Sequence, residues 1–334
     1  MPKSVLVIGG AGYIGSHVVK ALRARGDDVV VYDDLSAGHR TAARFATSLV
    51  EGNIHDVERL RNALRQYDAD AVMHFAAWAS VGDSVRDPIG YYRNNVIGTL
   101  TVLEAMAAEH VPFFVFSSTA AVFGNPIETP IKEDHPKNPI NSYGETKVAI
   151  ERALPHFERA YEIRSSVLRY FNAAGADPDG ELGEDHTPEL HLIPRALDAA
   201  AGRGTFQIFG DDYPTPDGTC LRDYIHVTDL AEAHLLALDG LRGGADSSHY
   251  NLGNGKPTSV REVVDTVGRV VGTPVPLTIA PRREGDPAVL FASSDRIKSE
   301  LGWRPRFEDV ETIVSTAWRW RQAHPSGYGH GARG

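Results

Sequence analysis

Ser4-Val5-Leu6-Val7-Ile8-Gly9-Gly10-Ala11-Gly12-Tyr13-Ile14-Gly15-Ser16-His17 is the stretch on which the fold turns. The first five residues are a short apolar, β-branched run, as expected of a buried parallel strand. Three glycines follow in the spacing G-x-x-G-x-x-G at Gly9, Gly12 and Gly15, and a helical pattern continues through Val18, Val19, Ala21 and Leu22. Glycine at such positions permits a tight turn, lets backbone amides approach a pyrophosphate, and lets the helix pack closely on its strand. The helix N-terminus then faces an anion. A second strand, Val29 to Tyr32, ends in Asp33, about where a carboxylate is expected to bond a ribose 2′-hydroxyl. That acid disfavours a 2′-phosphate, so the motif implies NAD rather than NADP. A glycine turn with no ligand is the competing reading.

Outward from this motif, strand and helix patterns alternate. Leu49 to Glu51, Ala71 to Phe75, Phe113 to Phe116 and Ser166 to Tyr170 read as strands. Val57 to Gln66, Tyr91 to Glu109 and Ser142 to Tyr161 read as helices. Repeated strand–helix units predict an α/β fold: a doubly wound, Rossmann-type parallel sheet with helices on both faces. Past residue 175 the regularity fades. Residues 176–189 are rich in Gly, Pro and Asp and read as a loop, and shorter elements follow. The expected organisation is a cofactor domain over residues 1–175, to which some later segments return. A smaller α/β substrate lobe is expected over 176–323, and a fraying tail over 324–334.

Composition narrows the function. The chain has 334 residues, 42% of them hydrophobic, enough for a sizeable core. Its net charge is −10, with no basic stripe, which disfavours nucleic acid as a partner. No apolar run reaches the length of a membrane span. The single cysteine, Cys220, cannot form an internal disulfide and fits a reducing, cytoplasmic setting. The fourteen histidines show no paired ligand spacing such as H-x-x-x-H, and His186 and His191 read as loop residues, so no metal site is expected.

Tyr143 and Lys147 stand four apart in Ser142-Tyr143-Gly144-Glu145-Thr146-Lys147, which places both on one helix face. A nearby ammonium favours phenolate and lowers a tyrosine pKa toward the range useful to a general base. Tyr-x-x-x-Lys alone recurs by chance; its order after the glycine motif makes it informative. Thr119 follows the strand ending at Phe116, and in a doubly wound sheet it reaches the same carboxyl edge as Tyr143.

With these motifs in place, the chain resembles the extended short-chain dehydrogenase/reductase family, and most closely its UDP-glucose 4-epimerase branch. The likeness runs nearly end to end. It rests on Gly9 to His17, Asp33-Asp34-Leu35, Tyr91 to Val96, Phe116 to Gly124, Tyr143 to Lys147 and Leu168 to Asn172. Further matches are Ile208 to Pro214, Arg222 to Val227, Tyr250 to Gly253 and Pro281 to Asp286, and these later ones mark nucleotide-sugar enzymes. The resemblance implies Thr119, Tyr143 and Lys147 as catalytic residues. It implies Gly9, Gly12, Tyr13, Ile14, Gly15, Asp33, Asp34, Asn53, Ile54, Phe75, Ala76, Ala77, Asn94, Ser117, Tyr143, Lys147 and Tyr170 around NAD. It implies Thr119, Tyr143, Phe171, Asn172, His191, Leu192, Gln207, Phe209, Arg222, Tyr224, Arg283, Asp286 and Leu290 around a UDP-hexose. Two arginines suit a pyrophosphate, which guanidinium bonds in a forked geometry; surface ion pairs of Arg222 with Asp223 and of Arg283 with Glu284 are the bland alternative.

Some positions depart from the family pattern. Thr119 stands where serine is frequent, Asn53 where aspartate is usual beside adenine, and Ala79 where some members carry lysine. His191 replaces a common asparagine, and Leu290 lies where residue size is associated with tolerance of N-acetyl groups. The implied reaction is reversible inversion at C4 through a 4-keto sugar. The alternatives are an epimerase acting on UDP-N-acetylglucosamine or on both kinds of sugar, a nucleotide-sugar 4,6-dehydratase, and a silent NAD-binding regulator. Ala120-Ala121 after Thr119, where dehydratases carry Asp-Glu, counts against the dehydratase. The family also implies a homodimer, pairing helices 91–109 and 142–161 through apolar positions such as Leu100, Leu103, Ile150 and Leu154.

Overall fold

The computed structural model describes residues 4–283 and 286–329. Seven strands form one parallel sheet in the spatial order Ser248–Leu252, Arg164–Tyr170, Phe113–Thr119, Ala69–His74, Ser4–Ile8, Asp28–Asp33, Ser48–Glu51. The order reverses between Ser4–Ile8 and Ala69–His74, the switch point where ligands bind in sheets of this kind. Ser4–Ile8 is wholly buried. Its continuous apolar sequence is what a strand covered on both faces requires.

One face is covered by helices Tyr13–Ala24 and Val227–Arg242, which enclose Val18, Leu22, Leu230 and Leu238 with the sheet. The other is covered by Val57–Gln66, Gly98–Ala108 and Ser142–Tyr161, around Leu60, Leu103, Phe114 and Ile150. A separate apolar core joins Ile193, Ile208, Val263 and Val314, from helices Leu192–Ala200, Val260–Val271 and Val310–Ala323 and strand Phe206–Phe209. Strand Ser248–Leu252 and helix Val227–Arg242 belong to the large sheet although they follow residue 175.

Three features differ from the sequence reading. The segment expected as one helix over 91–109 is divided: an α-turn Pro88–Tyr91, a π-helical stretch Tyr92–Ile97, then the α-helix Gly98–Ala108. Leu103, Ile150 and Leu154 are core residues, and Leu100 packs against that same core, so they are not an outward apolar face. Residues 324–329 fold back: the Tyr328 amide donates to Asp185 Oδ2 (2.9 Å), and its hydroxyl accepts from the Gly183 amide (3.0 Å). Residues 330–334, Glu284 and Gly285 lie outside the described residues.

Candidate active site

The glycine turn is built by close approach. Gly9 adopts φ +78°, and a Cβ there would stand 2.5 Å from the Ala76 amide nitrogen. A Cβ on Gly15 would meet the Gly9 carbonyl at 2.2 Å. Gly12 is the open member, with only the Gly9 carbonyl near at 3.4 Å. It is also the N-cap of helix Tyr13–Ala24 and offers no capping side chain. The Ser16 amide is the first to bond back, to the Gly12 carbonyl at 3.0 Å. The amides of Tyr13, Ile14 and Gly15 thus open toward the space beside Gly12, as an anion requires. These residues fit a dinucleotide pyrophosphate.

At the end of the second strand, Asp33 accepts from the Ala11 amide (2.9 Å) and the Leu35 amide (2.9 Å). Burial raises its pKa, and those two bonds partly offset the rise. The carboxylate therefore braces the glycine turn, while its remaining lone pairs stay available to a ribose. Asp34 accepts from Asn53 Nδ2 (2.9 Å), so Asn53 is tied to the acidic pair. Ile54 is buried and packs where a Cβ on Gly98 would fall. The amides of Phe75 and Ala76 both bond the Ile8 carbonyl, at 2.7 and 3.2 Å, and Ala77 follows them at the switch point.

Thr119, Tyr143 and Lys147, the residues expected to be catalytic, converge at the carboxyl edge of the sheet. Thr119 ends strand Phe113–Thr119, and Tyr143 lies in the first turn of helix Ser142–Tyr161, capped by Asn141. The Thr119 hydroxyl reaches Tyr143 and lowers its pKa, but burial dominates and pushes the phenol up to about 12. Lys147 is buried; its Nζ donates to the Ser117 carbonyl (2.8 Å) and lies 6.0 Å from the centre of the Tyr143 ring. Burial lowers Lys147 to about 7, opposed by Glu151. Lys147 makes no contribution to the Tyr143 pKa here, unlike the lowering expected from the sequence. Desolvation dominates, and the cation is held on a carbonyl. Ser117 also bonds the Tyr170 hydroxyl.

Two supporting networks carry no sequence signal. Asn95, inside the π-helical stretch, bonds both the amide (2.9 Å) and the carbonyl (3.0 Å) of Trp78 and reaches Thr146 Oγ1 (3.2 Å). Asn94 donates to Asn95 Oδ1 (3.0 Å). The loop after Ala77 is thereby tied to the helix that carries Tyr143. Glu151, one turn beyond Lys147, accepts from Ser118, Lys137 and the Nε and Nη2 of Arg169 at 2.7–3.0 Å.

The residues expected around a nucleotide sugar cluster beyond this edge. Arg222 pairs with Asp286, and its Nη1 donates to the Leu221 carbonyl (2.8 Å). Asp223 is fully buried and accepts from the amides of Asn254, Gly255 and Ala292, so it is not the partner of Arg222. The exposed Arg283 guanidinium lies 3.9 Å from the centre of the Phe209 ring. Asn172 donates to the Asp223 carbonyl (2.8 Å) and pairs in register with Tyr224. Gln207 shares the short strand of Phe209. Leu290 pairs in register with Arg222 and packs, with Phe171, against Val122, Phe123, Ile131 and Val148.

His191 caps helix Leu192–Ala200, which begins with the partly buried Leu192. Its Nδ1 lies 2.6 Å from Glu184 Oε1. His186 stands against the same two glutamates, Glu184 and Glu189. The two histidines read as loop residues are neighbours, their ring centres 5.3 Å apart, brought together by the path of loop 184–191.

Comparison with known proteins agrees with this geometry. Residues 5–253 match the model of the NAD dependent epimerase/dehydratase family. A UDP-glucose 4-epimerase of Halalkalibacterium halodurans is 52% identical over 326 residues, covering 97% of each chain. The crystal structure of a UDP-glucose 4-epimerase from Brucella ovis in complex with NAD is 50% identical, with a TM-score of 0.93 over 95% of this chain and 97% of that one. A Bifidobacterium longum UDP-glucose 4-epimerase in complex with NAD+ and UDP is 35% identical, with a TM-score of 0.92 over 98% of this chain and all of the other. The chain belongs to the NAD dependent epimerase/dehydratase family.

Proposed function

We propose that this protein interconverts UDP-glucose and UDP-galactose by NAD-dependent epimerisation at C4. The observation that carries the reading is the meeting of Thr119, Tyr143 and Lys147 at the carboxyl edge of the parallel sheet, the edge at which the glycine turn follows Ser4–Ile8. NAD, when bound, takes a hydride from C4 and returns it to the opposite face of the 4-keto sugar. The protein supplies the rest. Tyr143 Oη takes the proton of the C4 hydroxyl and later gives it back. The Thr119 hydroxyl holds the same sugar oxygen, and Lys147 supplies positive charge to the phenolate. In this reading Arg222 and Arg283 bond the pyrophosphate, and Phe209, which Arg283 now overlies, borders the base. Anchoring at UDP leaves the neutral hexose free to turn, so binding energy from a remote group serves the reacting centre.

Ala120 and Ala121 open a short 3₁₀ turn after Thr119 and bring neither acid nor base, which argues against dehydration across C5 and C6. A homodimer accompanies the reading. Exposed apolar residues Val85, Ile89 and Ile97 lie on elements packed near helix Ser142–Tyr161, which itself exposes Tyr161. A monomer mass by light scattering at micromolar concentration would exclude the dimer.

The test of function is a coupled assay on UDP-galactose, with retained NAD followed by absorbance. Tyr143→Phe is expected to lose about 10²–10⁴-fold in rate while keeping NAD. A Phe variant within about twofold of the parent removes Tyr143 from the mechanism.

A further inference from the structure

Loop 184–191 holds two Glu-x-His units, Glu184-Asp185-His186 and Glu189-Leu190-His191. Each of the four outer side chains offers one ligand atom, and these atoms lie within 4.8 Å of one another. We propose that Glu184, His186, Glu189 and His191 bind one divalent transition-metal ion of the zinc class, which ties this loop to the start of helix Leu192–Ala200.

The separations suit such an ion. His186 Nδ1 lies 3.4 Å from Glu184 Oε1 and 3.6 Å from Glu189 Oε2, and His191 Nδ1 lies 3.3 Å from Glu189 Oε1. Ligand bonds of about 2.1 Å in a tetrahedron place donor atoms about 3.4 Å apart. The contact of His191 Nδ1 with Glu184 Oε1, at 2.6 Å, is shorter and must open.

The four side chains pair with one another at 2.6–3.6 Å, but three of the contacting atoms lack a well-directed hydrogen bond. Glu184 Oε1, His186 Nδ1 and Glu189 Oε2 are buried without a properly directed hydrogen bond. The Glu184 side chain is only 7% exposed. Glu189 Oε1, by contrast, accepts from the amides of Leu190 and His191, both at 2.8 Å, which fixes that carboxylate in place as an outer partner fixes a ligand. No lysine or arginine reaches either glutamate among the described residues. The nearby acidic group of Asp177, Asp179 and Glu181 is different, because Lys20 Nζ fills it at 2.6–3.1 Å. Two carboxylates and two neutral imidazoles around a dication sum to zero charge, and an imidazole–carboxylate donor set suits zinc.

The loop is also anchored where a metal can act on the site. The Tyr13 ring, from the glycine turn, meets the His186 ring edge-on at 6.3 Å. The imidazole of His191 thus serves the cluster, while its backbone opens the helix that borders the expected sugar site.

The test uses the whole protein, stripped with a chelator, dialysed, and titrated with ZnCl2 by calorimetry with elemental analysis. One Zn2+ per chain is expected, and Co2+ in its place should give the visible absorption of a four-coordinate site. His186→Ala with His191→Ala should lower Zn2+ affinity at least a hundredfold, and Glu184→Gln at least tenfold. Asp179→Asn, in the lysine-filled group, should leave it unchanged. Absence of stoichiometric Zn2+ uptake by the parent protein, or a six-coordinate Co2+ spectrum, overturns the proposal even if the variants fail to fold. Equal uptake by the double histidine variant also overturns it. The readouts need no sugar, so they stand or fall separately from epimerase activity.

Discussion

Lys147 Nζ is hydrogen-bonded to the Ser117 carbonyl at 2.8 Å, inside a pocket that lowers its pKa to about 7. Tyr143, with its ring centre 6.0 Å away, is raised to about 12 by the same desolvation. Burial thus acts on the two groups in the same sense, disfavouring the charged form of each.

Lys147→Ala removes the one ammonium placed to favour phenolate. In the proposed mechanism Lys147 stabilises the phenolate that forms as Tyr143 takes the sugar proton, so without it the acid limb of kcat/KM should move to higher pH and the rate at neutral pH should fall about 10²-fold or more. A pH–rate profile with NAD retained checks this. A slower variant whose limb has not moved would give Lys147 a structural role only.

Glu151 is predicted to hold the fold as well as the site. Arg169 and Glu151 have side chains 1% and 2% exposed, and Lys137 and Ser118 complete the network. Glu151→Gln leaves a buried guanidinium without its anion, a loss of about 3–5 kcal/mol. Desolvation, the largest single influence, raises the Glu151 pKa, but these partners together outweigh it and lower the folded value, the Arg169 hydrogen bonds most among them. A carboxylate with a lowered folded pKa stabilises above its unfolded value of about 4.3 and loses that stabilisation as pH falls through the folded value. The gap between parent and variant in denaturant midpoint should be wide at pH 7 and close in acid. Equal midpoints at pH 7 would contradict the prediction.

The parallel sheet and the trio at its edge were legible because their signals are local. Ser4 to Ile8 is apolar at every position but the first, the glycines have fixed spacing, and Tyr143 and Lys147 share one helical turn. The π-helical stretch was not legible, since it depends on Asn95 meeting Trp78 and Thr146, 17 and 51 residues away. The same limit hid the Glu151–Arg169 pair, 18 residues apart, whereas the histidine–glutamate cluster depends on the irregular path of one loop, which has no periodicity to read. Leu103, Ile150 and Leu154 misled for a related reason: an apolar stripe does not say whether a sheet or a second subunit covers it, and here the sheet does.

Acid should unfold the protein earlier than its carboxylates alone require. His17 and His234 are lowered to about 4, and His74 and His226 to about 3, all chiefly by burial. The unfolded chain takes up those protons near pH 6.5, whereas the folded chain resists them until about pH 3–4. The unfolded state then binds more protons, so stability falls as pH drops below about 6.5. Each imidazole charged only in the unfolded state contributes about 1.4 kcal/mol per pH unit over that window. Denaturant midpoints at pH 7.5, 6 and 5 should fall steadily, and a flat series would refute the account.

Leu290 is predicted to set sugar preference. Its strand pairs with that of Arg222, and its side chain packs beside Phe171 against Val122, Phe123, Ile131 and Val148. It thus connects the expected pyrophosphate contact to the apolar wall that follows Thr119. If that wall borders the C2 substituent of the hexose, an acetamido group must displace packed side chains, at a cost of about 1–3 kcal/mol. UDP-glucose and UDP-galactose should then be favoured over their N-acetyl counterparts by roughly ten- to a hundredfold in kcat/KM. Leu290→Ser should raise activity on UDP-N-acetylglucosamine more than on UDP-glucose. The serine also opens a gap in a packed cluster, so its thermal stability must be measured alongside. Equal specificity constants for both sugars in the parent protein would show that Leu290 does not gate the site.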